Sequence, residues 1–182
     1  FRARIPLPQE GSEALLDAMR GIVQLQDGSD QVAADRSIAS WLQGENPWLL
    51  DVALDFAARF RLDDEDAVRA LLVRTRETSP QRRRRAVEAL GQWLAPNGRS
   101  AESGAALQEL QATALETIVR LARIDEDVQV RRVAVHQLVS LAPEDVLDLL
   151  RAIAKEDPAQ EVRYEAAAGV HNLSRANSID NG

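Results

Sequence analysis

The residues best suited to chemistry in this chain are the arginines of one short segment, Arg69–Arg85. It holds seven Arg and a single acid, Glu77, and so has a net charge of +6. The whole chain of 182 residues carries −7, which leaves −13 on the remainder. A guanidinium binds phosphate or carboxylate through two parallel hydrogen bonds. The segment is therefore the first candidate for binding an anionic partner.

Helical geometry argues against a single binding face in this segment. The run Arg82–Arg85 turns by about 100° per residue, so its side chains fan around the helix. The region also lacks base-stacking aromatic residues apart from Trp93, which the apolar pattern places in the core. Charge runs usually form solvated surface. A structural role is favoured, an acidic protein partner is the second interpretation, and nucleic acid is disfavoured.

Motifs for metal-dependent or nucleophilic catalysis are absent from the sequence. Without Cys there is no thiolate site, and neither His136 nor His171 is followed by Glu. The acidic clusters Asp63–Asp66 and Asp125–Asp127 lack the glycine of a calcium loop, so we interpret them as helix caps. No phosphate-binding glycine motif occurs. We expect no metal, no cofactor and no enzymatic activity.

Composition and periodicity predict an all-α chain of about nine helices. Aromatic residues make up only 4%, and Ala, Leu, Arg, Glu and Gln dominate, which favours helices over strands. Asn46, Ser79 and Asp157 each precede a proline, a pattern typical of a helix start. With apolar residues at a period of 3.6, these signals predict helices at 12–26, 30–43, 47–61, 65–77, 80–94, 105–123, 127–141, 144–156 and 159–175.

We expect one domain over residues 12–175, between an extended lead-in at 1–11 and a polar tail at 176–182. The hydrophobic content of 45% suffices for one core. The longest uncharged run, Val133–Pro143, is far shorter than the roughly 18 residues of a spanning helix. A soluble protein without membrane insertion is expected, with the cytoplasm favoured over the periplasm. The start at Phe1 without Met suggests a fragment of a larger protein.

A repeat organises the second half of the chain. The pattern Val130-Arg131-x-x-Ala134-x-x-x-Leu138 recurs 32 residues later from Val162, and the same frame fits Arg83 and Ala86. An acid precedes each repeat arginine by six residues, in the pairs Glu77/Arg83, Asp125/Arg131 and Asp157/Arg163. We expect each acid to meet its own arginine across a short turn, and stacked repeats to align the pairs in a row.

These motifs resemble the HEAT repeat family, particularly its short bacterial form. The resemblance is clear over 77–175 and degenerate over 12–76. It implies an α-solenoid, an α-α superhelix with first helices outside and second helices lining a concave face. Enzymes of this family that hydroxylate deoxyhypusine carry His-Glu pairs, and Tyr164 stands where the metal-binding His would be. The metal site implied by that subfamily is therefore contradicted.

The resemblance and the missing catalytic motifs predict a non-catalytic scaffold that binds a protein or peptide on its concave face. Its site residues are chosen as solvent-facing side chains and members of the arginine segment. They are Arg69, Arg76, Arg84, Gln108, Gln111, Glu116, Arg120, Asp148 and Arg151. The alternatives are a nucleic-acid-directed enzyme of the DNA glycosylase type or a bilin-lyase-like enzyme using the Arg69–Arg85 segment, and a purely architectural domain. The oligomeric state stays open.

Overall fold

The regular elements of the described chain are all α-helices. The computed structural model describes residues 31–60, 62, 64–95, 104–142 and 145–180, so the predicted helix at 12–26 and the lead-in lie outside them. The helices are α1 Gln31–Gln43, α2 Pro47–Ala57, α3 Glu65–Arg74, α4 Pro80–Leu94, α5 Ala105–Ile124, α6 Val128–Leu141, α7 Val146–Glu156 and α8 Gln160–Asp180. The all-α prediction is confirmed, and these eight helices match eight of the nine expected.

Side-chain caps begin three of the helices. Asn46 accepts hydrogen bonds from the first backbone N–H groups of α2, Asp64 does so for α3, and Asp127 does so for α6. These bonds satisfy donors that no helical carbonyl can reach. Ser79 makes no such bond, so its predicted cap is wrong, although Pro80 does begin α4. The two acidic clusters thus supply caps, as their composition predicted.

Several helices end elsewhere than the apolar pattern indicated. The helix α2 ends at Ala57 and α3 at Arg74, earlier than expected. Arg59 N–H donates to the Phe56 carbonyl and Arg76 N–H to that of Val73. Such bonds across three residues tighten and close a last turn. By contrast, α8 continues to residue 180, through most of the predicted tail, because residues 170–180 contain neither Gly nor Pro.

The helices form two rows, which we call the odd row (α1, α3, α5, α7) and the even row (α2, α4, α6, α8). Consecutive helices pack in pairs, α1 with α2, α3 with α4, α5 with α6 and α7 with α8. Along the even row every helix packs on the next, whereas α5 and α7 of the odd row make no extensive contact. The last helix, α8, pairs with α7, which precedes it in the chain.

Small residues set the spacing of the even row. Ala86, Ala134 and Ala166 occupy the same position of the repeat, and each is fully buried. A Cβ added at Gly169 would overlap Val139 Cγ2 of the neighbouring helix. Because interiors are close-packed, such contacts leave little freedom in the distance between helices.

Trp93 is also buried, as predicted. No helix in the described ranges is long and apolar enough to cross a membrane.

Candidate functional site

Two buried ion pairs connect successive helices of the even row. Arg83 donates from Nε and Nη2 to the Asp125 carboxylate at 2.9 and 2.8 Å. Arg131 donates in the same way to Asp157 at 2.8 and 3.1 Å. All four side chains are less than a tenth exposed. Each arginine therefore binds the acid that precedes the next helix of the row.

The expectation that each acid pairs with its own arginine is wrong. Arg131 Nη1 donates instead to the backbone carbonyls of Asp125 and Glu126, at 2.8 and 3.3 Å. Arg83 bonds the carbonyl of Glu77 and Arg163 that of Asp157, at 2.9 and 2.7 Å. The six-residue spacing does bring the two residues together. The spacing alone could not show whether the arginine binds the backbone carbonyl or the side-chain carboxylate of the acidic residue.

The environment of Asp157 favours its charged form. Burial opposes ionisation, but hydrogen bonds from Arg131 and from the Ala159 N–H outweigh it, so the pKa of Asp157 lies below its ordinary value. The hydrogen bond to Asp157 likewise outweighs burial for Arg131 and raises its pKa. The pair is thus ionic at neutral pH. The hydrogen-bonding groups of Arg131 and Asp157 bind each other and nearby backbone groups. This is the arrangement expected of an ion pair that links parts of the structure.

Arginines of the basic segment serve the fold in a similar way. Arg74 donates from Nε to the Leu42 carbonyl at 2.6 Å and from Nη2 to the Gly44 carbonyl at 2.9 Å. It thereby caps the end of α1, whose last carbonyls have no helical donor. The same guanidinium pairs with Glu77. Arg74 therefore joins three parts of the chain.

The remaining arginines of the segment mostly pair with acids on their own or the preceding even-row helix. Arg82 Nε lies 2.8 Å from Asp51 Oδ1, and the side chain of Arg85 pairs with Asp55. Looser pairs join Arg69 to Glu65 at 3.4 Å and Arg84 to Glu88 at 3.7 Å. Within the part of the chain described, Arg76 is the one arginine of the segment without an acidic partner. The segment is therefore not a free basic surface.

The predicted site residues do not form one surface. Most lie on the odd row, and Arg84 lies on the even row. The exposed members are Arg69, Arg76, Gln108, Glu116, Arg120, Asp148 and Arg151, while Arg84 and Gln111 are half-buried. Asp148 and Arg151 pair with each other at 2.8 Å on α7. Since α5 and α7 make no extensive contact, this pair is separated from the polar face of α5.

A shallow groove of about 640 Å³ lies between α6 and α8, near their N-termini. It is lined by Val128, Arg132, Ala159, Gln160, Glu161, Tyr164 and Glu165. Tyr164 is the single tyrosine of the chain, and it is 76% exposed. The groove therefore offers an aromatic ring, small apolar residues and charges of both signs.

Two residues that line this groove, Arg132 and Glu165, belong to a polar cluster with His136. His136 Nδ1 lies 3.0 Å from Glu165 Oε1, and Arg132 Nε lies 3.8 Å from Oε2 of the same carboxylate. Sequence reasoning missed this cluster because its members belong to two helices. The sequence contained one indication of it. The 32-residue offset that aligns Arg131 with Arg163 also aligns Arg132 with Tyr164. Among the described residues no three His, Asp or Glu are grouped to hold a metal ion.

Three comparisons relate the chain to known proteins. Residues 99–170 match the family model of HEAT repeats. A search of curated proteins gives no match. The fold is similar to the crystal structure of an engineered protein from the Northeast Structural Genomics Consortium, with a TM-score of 0.55 and 15% identity. The match covers 82% of this chain and 66% of that one. At this identity the likeness concerns the fold alone.

Proposed function

We propose that this HEAT-like repeat chain is a non-catalytic scaffold that binds a peptide or protein segment in the groove between α6 and α8. The observation that carries the proposal is the exposure of Tyr164 over that groove. Aromatic residues are enriched in the centres of protein interfaces, where they supply much of the binding energy. Most of the surface of this side chain is not used in packing the fold, because it is 76% exposed.

The lining of the groove suggests the chemistry of its ligand. An apolar side chain of the ligand would pack on Tyr164, Val128 and Ala159, while a basic side chain would meet the exposed carboxylate of Glu161. A mixed polar and apolar lining of this kind suits a short peptide segment. The polar face of α5, with Gln108, Glu116 and Arg120, is a second proposed contact region for a larger partner.

Support for binding over the enzymatic alternatives comes from the ion pairs of the basic segment. A glycosylase-like or lyase-like use of the segment needs arginines that are available to a ligand. Arg82, Arg83 and Arg85 are each engaged by an acid of the same chain. Releasing them for phosphate would cost those internal bonds. The acidic net charge further weakens attraction to a polyanion.

The test is a peptide selection against the full chain, followed by affinity measurement. Peptides selected from a random displayed library are titrated calorimetrically into wild type and Tyr164→Ala. We expect Tyr164→Ala to bind at least about tenfold more weakly, which corresponds to about 1.4 kcal/mol. The matched control is Ile124→Ala, which removes an exposed apolar side chain outside the groove.

Equal binding of the peptides by wild type and Tyr164→Ala contradicts the groove as the site. A loss confined to Arg120→Ala would place the site on the odd row instead. Selection of no binding peptide from repeated libraries counts against peptide binding as the function.

A further inference from the structure

Two arginines of the even row are held only loosely by the rest of the chain. Among the described residues nothing accepts a hydrogen bond from Arg84, whose Nε is buried without a partner and lies 3.7 Å from the carboxylate of Glu88. The side chain as a whole is 37% exposed, and its Nη atoms are not buried. Arg132 donates one hydrogen bond, from Nη1 to Gln129 at 3.4 Å, and its Nε lies 3.8 Å from Glu165. Both guanidiniums therefore have free donors.

The free donors distinguish Arg84 from the arginines beside it. Arg82, Arg83 and Arg85 are each engaged by an acid of the chain. The distance from Arg84 to Glu88, by contrast, is too long for a hydrogen bond. A buried donor without an acceptor lowers stability, because its hydrogen bond to water is lost and not replaced. An anion bound at the guanidinium of Arg84 would supply acceptors that the chain itself does not.

The two loosely held arginines occupy the same position of the repeat on adjacent helices. Arg84 follows Arg83 on α4, and Arg132 follows Arg131 on α6. These helices pack closely, since a Cβ added at Gly91 of α4 would overlap a side chain of α6. Packed helices lie about 8–10 Å apart. Both arginines are internal to the array, because α4 and α6 each have a packed neighbour on both sides in the even row.

We propose that the even row binds an extended acidic segment of a partner protein, with one carboxylate at Arg84 and a second at Arg132. The proposal rests on the proposed peptide-binding function and extends its site, because Arg132 also lines the groove between α6 and α8. A polyproline-like segment has three residues per turn and rises about 3.1 Å per residue, so side chains three residues apart share one side at about 9 Å. This spacing matches that of the two helices.

An acidic peptide suits this face better than a continuous polyanion does. A guanidinium has five N–H donors, so each arginine can bind a ligand carboxylate through its Nη groups and keep its own neighbouring acid. Those acids, Glu88 and Glu165, lie 3.7 and 3.8 Å from the two arginines. They would repel an unbroken row of phosphates, whereas a peptide can place carboxylates at the two arginines alone.

Peptide selection on the full chain tests the proposal. In one displayed library two Glu stand three residues apart among random positions, and in a matched library both are Gln. We expect binders from the Glu library alone. The selected peptides are then synthesised with the second Glu moved to one or five residues from the first. We expect each shifted peptide to bind at least about tenfold more weakly in fluorescence anisotropy titrations, because only one arginine is then reached.

Variants of the chain assign each carboxylate to its arginine. Arg84→Gln and Arg132→Gln should each bind the selected peptides at least about tenfold more weakly than wild type does. Once the matching Glu of the peptide is replaced by Gln, Arg84→Gln should have no further effect, which a double-mutant cycle measures. The control is Arg123→Gln, which alters an exposed arginine of the odd row and should bind within about twofold of wild type.

A readout on the wild-type protein covers the case of a misfolded variant. Phenylglyoxal should modify Arg84, Arg132 and Arg123 in the free protein, and the bound peptide should protect the first two only. Equal selection from both libraries, unchanged affinity of folded Arg84→Gln, absence of protection, or displacement of the peptide by single-stranded DNA each overturns the proposal. Failure of the groove shows itself separately, as full peptide binding by Tyr164→Ala.

Discussion

Arg131 and Asp157 lie 26 residues apart and form a buried ion pair with two hydrogen bonds, between α6 and the turn that precedes α8. The same arginine holds the carbonyls of the turn before its own helix. One guanidinium therefore joins the starts of two stacked helices. Arg83 does the same with Asp125. Each arginine thus connects the short turn before its own helix to the short turn before the next helix of the row. These connections fix the position of each repeat relative to the next.

Removing one partner of this link should be strongly destabilising. Arg131→Met leaves the buried carboxylate of Asp157 without its cation, and we expect a loss of about 3–5 kcal/mol in the free energy of unfolding. Urea unfolding followed by circular dichroism measures it. Arg151→Met is the control, since its pair with Asp148 is exposed and should contribute no more than about 0.5 kcal/mol. Equal losses in the two variants would contradict a structural link.

The lowered pKa of Asp157 predicts a dependence of stability on pH. A carboxyl whose pKa is lower in the folded than in the unfolded protein contributes stability above its unfolded pKa of about 4. That contribution is lost as pH falls through the folded pKa. Between pH 5 and pH 2.5, wild type should therefore lose more unfolding free energy than Asp157→Asn, which has no such proton to bind. Parallel curves of stability against pH would refute this.

Gly169 should resist substitution although alanine forms helices more readily. Alanine gains about 1 kcal/mol over glycine in a helix interior. At this position its Cβ would overlap Val139, and overpacking costs about 1–3 kcal/mol. We expect Gly169→Ala to be net destabilising in thermal and urea unfolding. Adding Val139→Ala makes room, so a double-mutant cycle should show a favourable coupling, and additive effects would argue against the contact.

The basic segment offers a matched pair of arginines. Arg74→Ala removes charged donors from the carbonyls of Leu42 and Gly44, and hydrogen bonds of charged groups contribute about 1.5–3 kcal/mol each. Because Arg74 is only half-buried, we expect a loss near the lower end of the sum of the two bonds, about 3 kcal/mol, in urea unfolding. Arg76→Ala, on an exposed arginine two residues away, should change stability by less than about 0.5 kcal/mol. Similar values for the two would mean that Arg74 is not an essential cap.

Binding to duplex DNA provides a test of the nucleic-acid alternative. The internal pairing of Arg82, Arg83 and Arg85 leaves few cations for phosphate. We expect no fluorescence anisotropy change on titrating the chain into labelled duplex at 50 mM salt, where electrostatic binding is strong. A salt-dependent rise that disappears in Arg76→Ala would restore the segment as a nucleic-acid surface.

The local rules of helix formation made most of the fold predictable. Apolar residues at a period of 3.6 and capping acids such as Asp64 and Asp127 act over a few residues, so helices and their starts can be read directly. The recurrence of Arg131 and Ala134 at Arg163 and Ala166 indicated stacking. The groove could not be found in this way, because Tyr164 and Arg132 meet only after α6 and α8 have packed.

The sequence by itself determined the helices, the repeat and the absence of recognised catalytic motifs. Tertiary structure decided the partner of each charge. The spacing of Asp125 and Arg131 showed that they are neighbours, but the carboxylate turns to Arg83 of the previous repeat and leaves its carbonyl to Arg131. Arginine is long, and two acceptors of one residue lie within its reach. Which of them it binds depends on the packing of the next helix, which no local pattern contains.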